Sequence, residues 1–143
     1  MQNLRLHPPV RAGKRIGNLR KKTTNLSLAA MKARQSSKIR EIGKALISTG
    51  FVSLDAQAKV LGLPRSTAWT IRAAEHKGTG ISARIICRML SSAQLPALAR
   101  VKIMEYAEEK AAGVYGGTKT QRRRFASKLR FYGLDERPKR MAA

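Results

Sequence analysis

Acidic residues are scarce in this chain: eight Asp and Glu stand against thirty Lys and Arg, leaving +22 at pH 7. Self-repulsion at that charge opposes compaction and points to a polyanionic partner, nucleic acid first among them. Cysteine is nearly absent, and the single Cys87 excludes an internal disulfide framework and any cysteine-built metal site. Aromatics make up only 5%, so the core must be built from Leu, Ile, Val, Met and Ala. No apolar run nears the roughly 20 residues of a membrane span. The first fifteen residues carry Arg and Pro without an apolar stretch, which excludes a secretory signal. Pro8-Pro9 also interrupts the amphipathic helix that a transit peptide needs. What remains is the expectation of a soluble, cytoplasmic, nucleoid-associated protein, with 143 residues for one modest core plus tails.

The charge is unevenly placed. The first 40 residues hold eleven bases and no acid, with Arg20, Lys21 and Lys22 in one run. Residues 41–116 hold ten bases and six acids, and the last 27 residues hold nine bases and two acids. A nearly balanced centre is therefore flanked by two basic ends. Pro8-Pro9, Gly13 and Gly17 break any periodicity before about residue 25, so residues 1–35 read as a disordered basic arm that orders on nucleic acid.

Through the centre the apolar residues recur at helical spacing, and no segment alternates with period two, so the fold class is all-α. Ile39, Ile42, Leu46 and Ile47 mark a first helix with Ser37 as its N-cap and Gly50 at its end. Ser53 caps a second, with Asp55 in its first turn and Leu54, Ala58 and Leu61 inward. Gly62 and Pro64 turn the chain, and a third helix runs from about Arg65 to His76 with Gly78 as its stop. Ile81, Ile85, Met89 and Leu90 mark a fourth. Pro96 opens a fifth that reaches about Ala112. Thr118 and Gln121 have the form of a capping box for a sixth, with Phe125, Leu129 and Tyr132 on one side.

Residues 54–73 read LDAQAKVLGLPRSTAWTIRA. This stretch resembles the helix-turn-helix of bacterial DNA-binding regulators and resolvase-type recombinases, through Ala58, Leu61, Gly62, Leu63, Arg65-Ser66-Thr67, Ala68 and Ile71. Two positions depart from the pattern: Gln57 stands where an apolar residue is usual, leaving that corner less buried, and Pro64 replaces a polar cap. The resemblance implies a domain over 36–92 that binds double-stranded DNA sequence-specifically, as a transcriptional regulator or a phage or mobile-element accessory factor. It places Arg65, Ser66 and Thr70 at base edges. Trp69 falls on an outward position, where it either packs on the sugar-phosphate backbone or fills a groove against the fourth helix, and Arg72 and Lys77 meet phosphates. The charge adds phosphate contacts from Arg20, Lys21 and Lys22 of the arm and Arg122, Arg123 and Arg124 of the last helix.

Residues 93–116 are expected to support the core or to form the seam of a homodimer, weak without DNA, around Val101, Met104 and Tyr106. Residues 117–143 complete the chain as a basic helix and tail. His7 and His76 lack partners at metal-ligand spacing, and Cys87 reads as a core residue. Glu105, Glu108 and Glu109 pair with Lys102 and Lys110 along their own helix. No nucleophile, base and oxyanion site assembles, so neither enzyme activity nor a cofactor is expected. Two other readings of the charge stand beside DNA recognition: an RNA-binding or ribosome-associated protein, and a sequence-tolerant architectural DNA-binding protein.

Overall fold

The computed structural model describes residues 28–76 and 80–132. All the secondary structure among them is helical. Helix α1 covers 28–48, followed by α2 (Leu54–Leu61), α3 (Arg65–Ala73), α4 (Ala83–Leu90), α5 (Ala97–Ala111) and α6 (Lys119–Phe131).

The first helix is longer than its sequence signals predict. Residues 28–36 are already helical, and Ser37 is an exposed residue in mid-helix rather than a cap. Part of the expected arm is thereby helix, and the rest of it, residues 1–27, lies outside the described residues. The reason is tertiary. Gln35 is buried, and Arg34 and Lys38 reach across to Glu109 and Glu105 of α5, at 3.4 and 3.0 Å. Lys102 closes the other end on Glu41 at 3.2 Å. As numbers rise along α1 they fall along α5, so the two helices lie antiparallel under a ladder of ion pairs. Ile39, Ile42 and Leu46 form the buried stripe, while Ile47 falls off it and is exposed.

Helix α5 is the central post. Ala99, Ile103, Tyr106 and Ala107 are buried along it. This corrects the expected dimer seam: Tyr106 is fully buried and Met104 packs against the core, leaving Leu98 and Val101 as the exposed apolar residues of that helix. The Tyr106 hydroxyl donates to Gln35 Oε1 at 2.7 Å and accepts from the Ile81 N–H at 3.0 Å. One phenol thus ties α1, α5 and the segment before α4 together. Gly80, at φ +79°, lies against this junction, and a methyl group there would collide with Gln35 and Tyr106.

Several local signals are realised as read. Ser53 accepts from the Ala56 N–H, and both bonds of the Thr118–Gln121 capping box are present. Helix α5 follows Pro96, and Cys87 is buried. Gly62 closes α2 at φ 70°, the left-handed value the turn requires. Two expectations about α3 and α4 shift. Helix α3 ends at Ala73, with Ala74 left-handed at φ 55° and the Glu75 N–H bonded to the Thr70 carbonyl. Gly78, the expected stop, lies outside the described residues. Ile81 precedes α4 instead of opening it, because Ser82 supplies the N-cap by accepting from the Ile85 N–H.

Candidate nucleic-acid interface

Helices α2 and α3 pack on each other through Ala58, Leu61, Leu63, Ala68 and Ile71, all buried. After Gly62 the Leu63 N–H returns to the Ala58 carbonyl, and Pro64, with φ near −60°, starts α3 without a side-chain cap. The corner expected to be looser is closed. Gln57 is 1% exposed, and its amide donates to the Phe51 carbonyl at 2.9 Å. A polar residue is accommodated there because the α1–α2 loop offers its backbone carbonyl. On the far side the backbone of α3 at Arg72 lies against Gly43 of α1.

Packing on α2 and α1 leaves the outer face of α3 uncovered. Arg65, Ser66, Trp69 and Arg72 are all exposed, Trp69 by 46% despite its large apolar ring. Thr70 is half-buried, and its hydroxyl donates to the Thr67 carbonyl at 2.7 Å, which leaves it only acceptor capacity. Arg65 Nε lies 3.4 Å from Asp55 of α2, both groups being well exposed. Asp55 read in the sequence as a helix-dipole residue; its hold on Arg65 needs the tight turn to bring the two helix starts together.

Three other acids of the centre are engaged elsewhere, while Glu75, just past the end of α3, and Glu108 on α5 are exposed. Glu41, Glu105 and Glu109 serve the ladder between α1 and α5, where Lys38 meets all three within 4 Å. The hydrogen bond from Lys38 holds the Glu105 carboxyl below its ordinary value, and the same bond raises Lys38. Glu109 is also held low: burial opposes its charge but is outweighed by bonds from Tyr115 and Arg34. Sequence reasoning kept Glu105 and Glu109 within their own helix, whereas only the Lys102–Glu105 contact there is intrahelical. Pairs separated by 67 to 75 positions obey no local spacing rule.

The remaining expected contact residues divide. Arg123 and Arg124 are exposed on α6. Arg122 is half-buried, with its guanidinium laid against Gly113 in the turn before α6 and its Nε shielded from solvent without a hydrogen-bond partner among the described residues. It therefore faces inward, toward a cleft between α1, α4 and α6. Arg20, Lys21, Lys22 and Lys77 lie outside the described residues.

Among the described residues no group of three His, Cys, Asp or Glu could hold a metal ion. None of their helices is long and apolar enough to cross a membrane. The face built by α3 can donate hydrogen bonds from two guanidinium groups and a hydroxyl, and can stack or donate from one indole. Compared with known proteins, the chain matches no family model, no curated protein and no solved structure.

Proposed function

We propose that α2 and α3 form a helix-turn-helix that binds double-stranded DNA sequence-specifically, with α3 lying in the major groove. The observation that carries this reading is the uncovered face of α3. It is short, starts at a tight left-handed turn, and presents Arg65, Ser66, Trp69 and Arg72 outward while Ala68 and Ile71 anchor it. An Arg at the start of such a helix reaches guanine O6 and N7, and the Ser beside it hydrogen-bonds less selectively. Trp69 and Arg72 then meet the sugar-phosphate backbone. Helix α6 adds Arg123, Lys128 and Arg130, and the basic chain ends add further phosphate contacts, Arg20, Lys21 and Lys22 among them. The work is binding, as expected of a transcriptional regulator or a phage or mobile-element accessory factor. A second copy, paired on DNA through Leu98 and Val101 of α5, would double the reading surface.

The test is selection of bound fragments from a random duplex pool, followed by titration of two variants. Arg65→Ala should lose about 1–3 kcal/mol on the selected site and relax preference at one base pair. Lys21→Ala should weaken all sequences alike and lower the slope of log K against log salt by about one. A pool that yields no consensus, with both variants behaving alike, would leave a sequence-tolerant architectural binder; tighter binding to hairpin RNA would leave the RNA reading.

A further inference from the structure

The cleft between α1, α4 and α6 has a volume of about 720 Å3, and the α3 face does not include it. Six cationic side chains line it: Lys32 from α1, Arg84 from α4, Lys110 from α5, and Arg122, Arg124 and Lys128 from α6. Among the described residues no carboxylate does. The nearby Glu109 is held by Tyr115, Arg34 and Lys38. The apolar part of the wall comes from Leu28, Phe125, Tyr115 and Tyr132.

We propose that this cleft binds a phosphorylated small molecule of nucleotide size, a nucleoside di- or triphosphate, through Lys110 and Arg122 at its floor. Two features call for an anion there. Arg122 Nε is out of solvent and unpartnered among the described residues, although a buried guanidinium N–H normally finds an acceptor. Lys110 Nζ donates to the Ile81 carbonyl at 2.5 Å and sits 4.6 Å above the Phe125 ring, with no carboxylate within salt-bridge distance among the described residues. Carbonyl and ring attract the ammonium but leave its charge uncompensated, and burial lowers Lys110 to about 8. Three further observations narrow the ligand. The volume falls within the roughly 300–1,000 Å3 of small-molecule sites. Arg forks and a Lys point charge suit phosphate oxygens. Tyr115 already stacks on Tyr106 at 5.2 Å, and Tyr132, at the mouth, is exposed enough to take a base on its ring. Lys110 and Arg122 are half-buried inside a concave cleft, a setting that suits a small free nucleotide better than a duplex backbone.

The groups facing Lys110 are Lys32, Arg84, Arg122 and Lys128 around the cleft, with Tyr115 beside it and His76 near enough to be held below its usual value by burial and by Lys110 itself. Arg124 lines the cleft as well, and among the described residues none of these groups is an acid, so a bound phosphate should raise the Lys110 pKa and draw in a proton.

The experiment is calorimetry on the full chain without nucleic acid, in about 0.3 M salt to screen the exposed basic surface. ATP and GTP are titrated beside pyrophosphate and inorganic phosphate. A saturable site with about one equivalent of nucleotide, tighter than pyrophosphate, is expected. Lys110→Met and Arg122→Gln should each weaken it by about tenfold or more. The exposed Arg84→Gln serves as a third variant that leaves the interior intact. Arg65→Ala and Lys21→Ala should leave it unchanged, which separates this site from the α3 reading. Proton uptake near pH 9, measured in buffers of different ionisation enthalpy, should vanish in Lys110→Met. Absence of saturation, equal affinity for pyrophosphate and ATP, or equal losses from Lys21→Ala and Lys110→Met would each overturn the assignment.

Discussion

Replacing Tyr106 by Phe removes one oxygen and keeps the ring that packs α5 against its neighbours. The hydroxyl is fully buried, and burial pushes it up to about 12, so it is neutral at any working pH. Without it, Gln35 Oε1 loses its donor and the Ile81 N–H its acceptor. Gln35 is itself buried and Ile81 is 1% exposed, so water cannot readily replace either partner. An unsatisfied buried group costs about 1–3 kcal/mol, and partial turning of the Gln35 amide offsets some of it. The net loss should be about 2–4 kcal/mol, a large share of the roughly 5–15 kcal/mol that holds a domain folded. In a folded region of about 100 residues each kcal/mol moves Tm by about 4–8 °C, so Tm should fall by at least about 8 °C. Urea unfolding followed by circular dichroism measures it, with an unchanged m-value showing that the unfolding surface is the same. Tyr115→Phe is the control. That hydroxyl is half-buried and, among the described residues, bonds to the partly exposed Glu109, so its loss should be about 1 kcal/mol. A double-mutant cycle of Tyr106→Phe with Gln35→Ala should show coupling of about 0.5 kcal/mol or more. A loss for Tyr106→Phe below about 0.5 kcal/mol, with no coupling to Gln35, would mean that water reaches the junction and that it does not hold α1 to α4.

Three further outcomes are expected. Lys110 is lowered by burial from 10.5 to about 8, so between those values the unfolded chain keeps a proton that the folded chain has released, and stability should rise as pH goes from 8 toward 10. Lys110→Met should flatten that rise; a pH profile identical to that of the parent would contradict the burial of its charge. Asp55→Asn frees Arg65 from an exposed pair at 3.4 Å, so affinity for the selected duplex should increase severalfold at low salt with little change in Tm, and unchanged or weaker binding would show that the pair orients Arg65 for its contact. Gly62→Ala meets open space but must hold φ 70°, so it should lose about 1–2 kcal/mol through backbone strain alone, which chemical denaturation would read as a lower midpoint. A neutral result there would mean that the turn can close in another conformation.

Much of the secondary structure was legible because its signals are local. Ser53, Gly62, Pro96 and the Thr118–Gln121 pair each act within one turn of chain, on backbone groups whose positions the helix itself dictates. The apolar spacing that folds Ala68 and Ile71 inward also leaves Arg65, Ser66, Trp69 and Arg72 outside, so the exposed face of α3 follows from helical periodicity alone. Partners brought together only by packing do not. Tyr106 and Met104 share a helix with the exposed Val101, and nothing in their spacing says which face meets α1. The helical stretch of α1 before Ser37 is held by Gln35 reaching Tyr106, 71 positions away, and by ion pairs across to α5. Gln57 is polar by type yet buried, because the Phe51 carbonyl is positioned to accept its amide. Arg122 belongs to a run of three arginines, but rotation about the α6 axis turns it into the cleft and leaves Arg123 outside. Lys32, Arg84 and Lys110 lie on three different helices and become neighbours only when α1, α4 and α5 close around the cleft. Hydrogen bonding along a helix is decided within four residues, so sequence alone determined that these segments are helical, most of their caps, and the outward face of α3, but not the extent of α1. Burial and charge pairing depend on what lies opposite, and that was decided by the tertiary structure.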